Sequence, residues 1–270
     1  MADLIDFDRK FMEYAAPMIR GMGELPDGAL EERMNEAAKA WSAAAADWLG
    51  GLSPDEYFAK MPPEDLAEQL RAYAQGGMQV PEPLYRRIAQ TPECADALAR
   101  MARDADLRCE ARASALRLLC DRNARGLPEL CADMLPEGGD LAEIAADWLG
   151  RAGKDAVEPL FDRYDAADAQ VRATILDVLS RYPGDARVTE LIAERLRNDH
   201  ERRALYAALA ERLGDASLIG VLTQLAGLSE LSYFDYMEIA NAIEALGGEI
   251  GEARAFYGDP DYETLWRQDA

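Results

Sequence analysis

Leu119, Leu149, Leu179 and Leu209 stand 30 residues apart, and the sequence around each repeats with them. Three places earlier the same slide gives Leu116, Ala146, Leu176 and Tyr206, and four places earlier Ala115, Ala145, Ile175 and Leu205. Steps of three and four select one face of a helix, so the same apolar face returns in each copy. Gly153, Gly184 and Gly214 precede Asp155-Ala156, Asp185-Ala186 and Asp215-Ala216, a glycine stop followed by an aspartate cap. The column Cys131, Phe161, Leu191 and Val221 then marks the other helix of each pair, and a last copy, stretched by three residues, ends at Leu246-Gly247-Gly248. Two helices and two turns cannot bury their own face. Such units must stack side by side into one continuous core.

Residues 1–104 lack this period but read as helix and turn. Leu4, Phe7, Phe11, Ala15, Met18 and Met22 form one stripe, with Pro17 expected to kink it; Leu30, Met34, Ala37, Trp41, Ala44 and Trp48 form a second. The breaker at 23–28 joins them, which predicts a helical hairpin over 3–50 with Trp41 and Trp48 as core anchors. Ser53-Pro54-Asp55-Glu56 signals a helix start, as does Pro62-Pro63-Glu64-Asp65, whose helix ends near Gly76-Gly77. Pro81 and Pro83 open a shorter helix holding Leu84, Tyr85 and Ile88. No alternating β-branched run occurs, so the chain is expected to be all-α.

The segment Asp168-Ala169-Gln170-Val171-Arg172, followed by an apolar helix and Tyr182-Pro183-Gly184-Asp185-Ala186, resembles HEAT repeats, especially the short 30-residue kind first associated with phycobilisome lyases. The resemblance covers about residues 105–250. It implies a right-handed α-solenoid of HEAT-like helix pairs, preceded by the N-terminal hairpin and followed by an aromatic tail over 251–270. Arg112, Arg172 and Arg202 occupy the arginine column of such repeats, while Ala142 and Asp235 depart from it.

Composition narrows the function. The 270 residues carry 51 acidic and 29 basic side chains, a net charge of −22 that repels phosphate. Residues 1–104 hold 19 acids and 11 bases and the remainder 32 and 18, so neither part offers the basic footprint of the duplex-binding HEAT-like glycosylases. No nucleic-acid partner is expected, and no segment is apolar enough to predict a membrane span. The acidic start Met1-Ala2-Asp3-Leu4-Ile5-Asp6 is unlike a secretory signal, which makes the cytoplasm the expected location. Arginine outnumbers lysine 25 to 4, which points to a GC-rich bacterial source. Cys94, Cys109, Cys120 and Cys131 contain no Cys-x-x-Cys pair and are expected to be buried thiols.

No constellation names a reaction. His200 is the single histidine and sits in the expected first turn of a helix. The HEAT-like di-iron hydroxylases bind metal through several His-Glu dyads, and this chain offers only His200-Glu201. Gly21-x-Gly23, Gly76-Gly77, Gly138-Gly139 and Gly247-Gly248 lack the lysine and spacing of a phosphate loop. No catalytic residue, cofactor or metal is therefore assigned.

The stack would present the second helices, expected near 107–122, 140–152, 168–181, 199–213 and 232–246, on its concave side. Their polar and aromatic positions Glu143, Asp147, Asp177, Arg203, Tyr206, Tyr236 and Glu238, with Tyr233 nearby, form a candidate surface for a protein or basic peptide. Non-catalytic protein binding or scaffolding is the expected function. The alternative is a bilin-lyase-like or other small-molecule-handling protein, which the family resemblance alone implies. The tail from Phe256 to Trp266 is expected either to cap the last repeat or to bind a partner.

Overall fold

The computed structural model describes residues 4–20, 28–251 and 254–268, with no side-chain placement for residue 29 or beyond 264. Among the described residues every regular element is helical. The chain forms two compact units, one of residues 1–130 and 137–145, the other of 131–136 and 146–270.

The first unit contains α1 (Phe7–Arg20), α2 (Ala29–Ala43), α3 (Pro54–Ala59), α4 (Pro63–Gly76), α5 (Glu82–Ala89), α6 (Ala95–Arg103) and α7 (Cys109–Asp121). Helix α8 (Leu127–Met134) and helix α9 (Gly139–Leu149) each contribute residues to both units. Three of these starts follow from local chemistry. Ser53 and Glu56 form a reciprocal capping box at α3, with Pro54 in its first turn, and prolines 63 and 83 sit in the first turns of α4 and α5. Gly77 ends α4 at φ +69°, where Met78 N–H reaches Tyr73 O and Gly77 N–H reaches Ala74 O, the paired bonds of a left-handed helix stop.

The N-terminal pair differs in detail from the hairpin expected over 3–50. Helices α1 and α2 do pack together, and α1 continues through Pro17 to Arg20. Met22 and the breaker at 23–27 lie outside the described residues. Helix α2 stops at Ala43, and Trp48 falls in a separate 3-10 turn, Asp47–Leu49. The break is held by Ala46, whose N–H donates to Leu52 O while its carbonyl accepts from Gly51 N–H. This turn brings Trp48 edge-on to Phe7 at 5.4 Å, yet leaves it 38% exposed. Trp41 is the buried anchor of the two, against Phe7 and Phe11. Cys94 and Cys131 are buried thiols as expected, but Cys109 opens α7 on its solvent side and is exposed.

The second unit continues with α10 (Val157–Tyr164), α11 (Ala169–Leu179), α12 (Ala186–Asn198), α13 (Arg203–Leu213), α14 (Ile219–Ala226), α15 (Tyr233–Ala245) and α16 (Pro260–Gln268). Consecutive helices pack as pairs, and like helices of successive pairs also touch: α12 with α14 and α13 with α15. Leu149, Leu179 and Leu209 are buried here, as Leu119 is in the first unit. Polar ties cross from one pair to the next. Arg163 meets Asp133 at 2.7 Å, 30 residues away, and Thr189 Oγ1 donates to Asp215 at 2.7 Å. Arg187 bridges Glu158 and Asp185 while its guanidinium lies 3.9 Å from the Phe161 ring centroid. Gly153, Gly184 and Gly214 all take the left-handed backbone that glycine alone adopts cheaply. Asp185 and Asp215 then cap by accepting from the N–H two residues on, whereas Asp155 lies inside the 3-10 turn Gly153–Ala156 and makes no cap bond.

These bonds set a pH response. Hydrogen bonds from Arg112 to Glu137, from Arg187 to Asp185 and from Thr189 to Asp215 hold each carboxyl below its ordinary range. A carboxyl whose folded pKa is depressed stabilises the fold above its unfolded pKa, and that contribution disappears as pH falls through the folded value. Acidification from pH 7 toward 5 relieves the repulsion of the net −22 charge, so the urea midpoint should hold or rise there. Below about pH 4 it should fall. A midpoint that rises all the way to pH 2.5 at constant salt would show these bonds to be inconsequential.

Candidate functional site

The arginine column places the site, because it sets the register of the second helices. Arg112 Nε donates to Ala102 O at 2.9 Å and Arg172 Nε to Tyr164 O at 3.0 Å, each closing the end of the preceding helix. In the next pair the residue that does this is Arg203, reaching Leu196 O at 3.4 Å, and not Arg202. Arg202 instead pairs with Asp199 at 3.4 Å. Arg172 lies four residues after Asp168, and Arg203 four after Asp199, so the structural step here is 31 residues. The extra residue is taken up in the 3-10 turn His200–Arg202 before α13 begins.

One consequence is the reversal of an expected core position. Ala115, Ala145 and Ile175 are fully buried, whereas Leu205, 30 residues after Ile175, is 38% exposed. Tyr206 takes the buried place. Leu205 belongs to the stripe Ala204, Leu205, Ala208, Glu211 and Arg212, the side of α13 opposite its buried residues. Helix α15, packed beside it, carries the matching outward stripe with Phe234 at 56% and Met237 at 36% exposure, followed by Glu238, Asn241 and Glu244.

Charge around these apolar groups is one-sided. Arg212 is the basic residue of the stripe, and Asp177 holds it at 2.6 Å. Glu201, Glu211, Glu238 and Glu244 have no ion-pair partner among the described residues. Each of the two packed helices thus carries exposed apolar side chains together with carboxylates that have no ion-pair partner among the described residues.

The seven residues expected to form the partner surface divide between the two units and between exposed, ion-paired and buried positions. Glu143 is exposed on α9 and belongs to the first unit; the other six belong to the second. Asp147 is paired with Arg151, and Asp177 with both Arg181 and Arg212, so neither offers a free carboxylate. Arg203 and Tyr206 are buried and cannot line an open surface. The Tyr206 hydroxyl donates to Asp199 at 3.1 Å, and burial together with that carboxylate pushes it up to about 12, so it stays protonated and structural at neutral pH. Tyr236 packs on Phe256 of the tail at 5.0 Å. Glu238 alone keeps a place on the observed face. Leu205, Phe234 and Met237 were not singled out as surface residues by the sequence pattern, although the outward steps 234, 237, 241 and 244 of the last helix were readable once its buried face was known.

His200 is exposed in its 3-10 turn. Among the described residues no group of three or more His, Cys, Asp or Glu side chains is arranged to hold a metal ion, and no helix is long and apolar enough to cross a membrane. Comparison with protein-family models gives no match, and no curated protein is significantly similar in sequence.

Proposed function

We propose that the chain is a non-catalytic binding or scaffold protein of the bacterial cytoplasm, whose helix pairs are HEAT-like repeats stacked as a right-handed α-solenoid. In this reading the outward face of α13 and α15 receives a basic, amphipathic protein segment. The observation that carries it is that α13 and α15, which pack together, expose Leu205 on one and Phe234 and Met237 on the other, with Glu211, Glu238 and Glu244 on the same helices unpaired among the described residues. Solvent-facing Phe and Met next to one another give a partner area to bury, and the carboxylates speed and orient a cationic one. The repeated pairing of α12 with α14 and α13 with α15 supports the stacking.

A chain of charge −22 attracts any polycation, so the test must separate shape from charge. Two synthetic peptides of identical lysine and leucine content serve, one arranged as an amphipathic helix and one scrambled. The amphipathic peptide should bind saturably and Phe234→Asp with Met237→Asp should weaken it at least tenfold, in a variant whose helical circular dichroism and cooperative melting show that it is folded. Equal binding of the two peptides, or indifference to the double substitution, would sink the proposal.

A further inference from the structure

Between Arg212 and Arg254 the chain holds no lysine, arginine or histidine. Arg212 is held by Asp177, and Arg254 by the carbonyls of Leu228 and Ser229. Helix α15 lies inside this base-free stretch, and its outward stripe of Phe234, Met237, Asn241 and Glu244 is exposed at every position. The stripe is graded along the helix. It begins apolar with Phe234 and Met237, and the carboxylate beside them, Asp235, is taken up by Ser232 in the helix cap. From Glu238 on it is polar and acidic, and neither Glu238 nor Glu244 has an ion-pair partner among the described residues.

The end of the helix sharpens this gradient. A helix C-terminus carries a partial negative charge that a lysine or arginine in the last turn ordinarily offsets. The last turn of α15 has no basic residue; Glu244 adds to the negative end, and Glu249, exposed just beyond, is also without an ion-pair partner among the described residues. At a rise of about 1.5 Å per residue, Glu244 stands about 10 Å beyond Met237 on the same side of the helix.

We propose that this face takes a bipartite helical segment, whose apolar side chains bury Phe234 and Met237 and whose lysine or arginine, about two turns away on the same side, meets Glu244 at the C-terminal end of α15. The proposal rests on the peptide-binding reading above and specifies its partner: apolar and basic residues are segregated along the segment. A mixed arrangement would set a cation over Phe234 or Met237, or an apolar group against Glu244, and either loses a contact.

Two synthetic helices of identical composition test this. Along one face the first carries two leucines followed by two lysines, and the second alternates them. Titrated into the full chain by calorimetry, the segregated peptide should bind at least fivefold more tightly than the alternating one. Glu244→Gln should weaken the segregated peptide at least fivefold and the alternating one less than twofold, while Glu190→Gln, which removes an exposed charge from α12, should change neither. Cooperative melting of both variants establishes that they are folded. Two peptides that bind alike, that lose equally to Glu244→Gln, or that lose as much to Glu190→Gln would overturn the bipartite partner and leave the peptide face standing; two that do not bind at all would overturn both.

Discussion

Ile175→Ala is expected to lower unfolding stability by about 2–5 kcal/mol, whereas Leu205→Ala, 30 residues later in the same sequence column, should change it by about 1 kcal/mol or less. Ile175 is fully enclosed, so truncation removes buried methyl and methylene groups and leaves a cavity. Leu205 already meets solvent, and its removal opens no void. The arginines should divide in the same way. Arg203→Ala strips the donor from Leu196 O and should cost about 1–3 kcal/mol. Arg202→Ala loses an ion pair near the surface, and such pairs contribute about 0–1 kcal/mol. Urea midpoints of the four variants, with the denaturant slope checked for constancy, measure all of this. Equal losses at Ile175 and Leu205 would mean that α13 sits in the 30-residue register after all.

That pair also shows where sequence pattern stops informing. The ends of the second helices were legible because their punctuation is local: Cys109–Asp121 falls within the expected 107–122, and Tyr233–Ala245 within 232–246. Ser53, Asp168, Asp185 and Asp215 cap through bonds to residues two or three places away, which spacing alone can express. The slip before α13 has no such mark. Leu209 and Ala210 are both buried, so a leucine ladder counted by thirties stays apolar and hides the extra residue. The bond from Arg203 to Leu196 O, seven residues back, and the exposure of Leu205 beside a buried Tyr206 show it. The acidic face failed for a related reason. Asp177 reads as a free carboxylate until Arg212, 35 residues on, is folded against it.

Removal of residues 252–270 should be the most damaging change to the second unit, because the tail completes α15 instead of trailing from it. Phe256 is buried against Tyr233 and Tyr236 at 5.5 and 5.0 Å, and Tyr262 closes the cluster on Tyr233 at 5.2 Å. Arg254 stacks on Phe256 and donates to Leu228 O and Ser229 O, carbonyls left open where α14 ends. The Asp259 carboxylate accepts from Tyr233 N–H at 2.9 Å, an otherwise orphaned donor at the start of α15, and this bond holds its carboxyl below the ordinary range. Phe256→Ala alone should therefore cost about 3–5 kcal/mol, while Tyr257→Ser, at a position 90% exposed, should be nearly silent. The deletion adds the lost Arg254 and Asp259 bonds to the lost ring, and uncovers Tyr233 and Tyr236 as a new apolar end. Its expected signature is a lowered melting temperature together with self-association that grows with concentration. A truncated chain that stays monomeric and melts unchanged would detach the tail from the fold, and would leave partner binding as the reason for its aromatic residues.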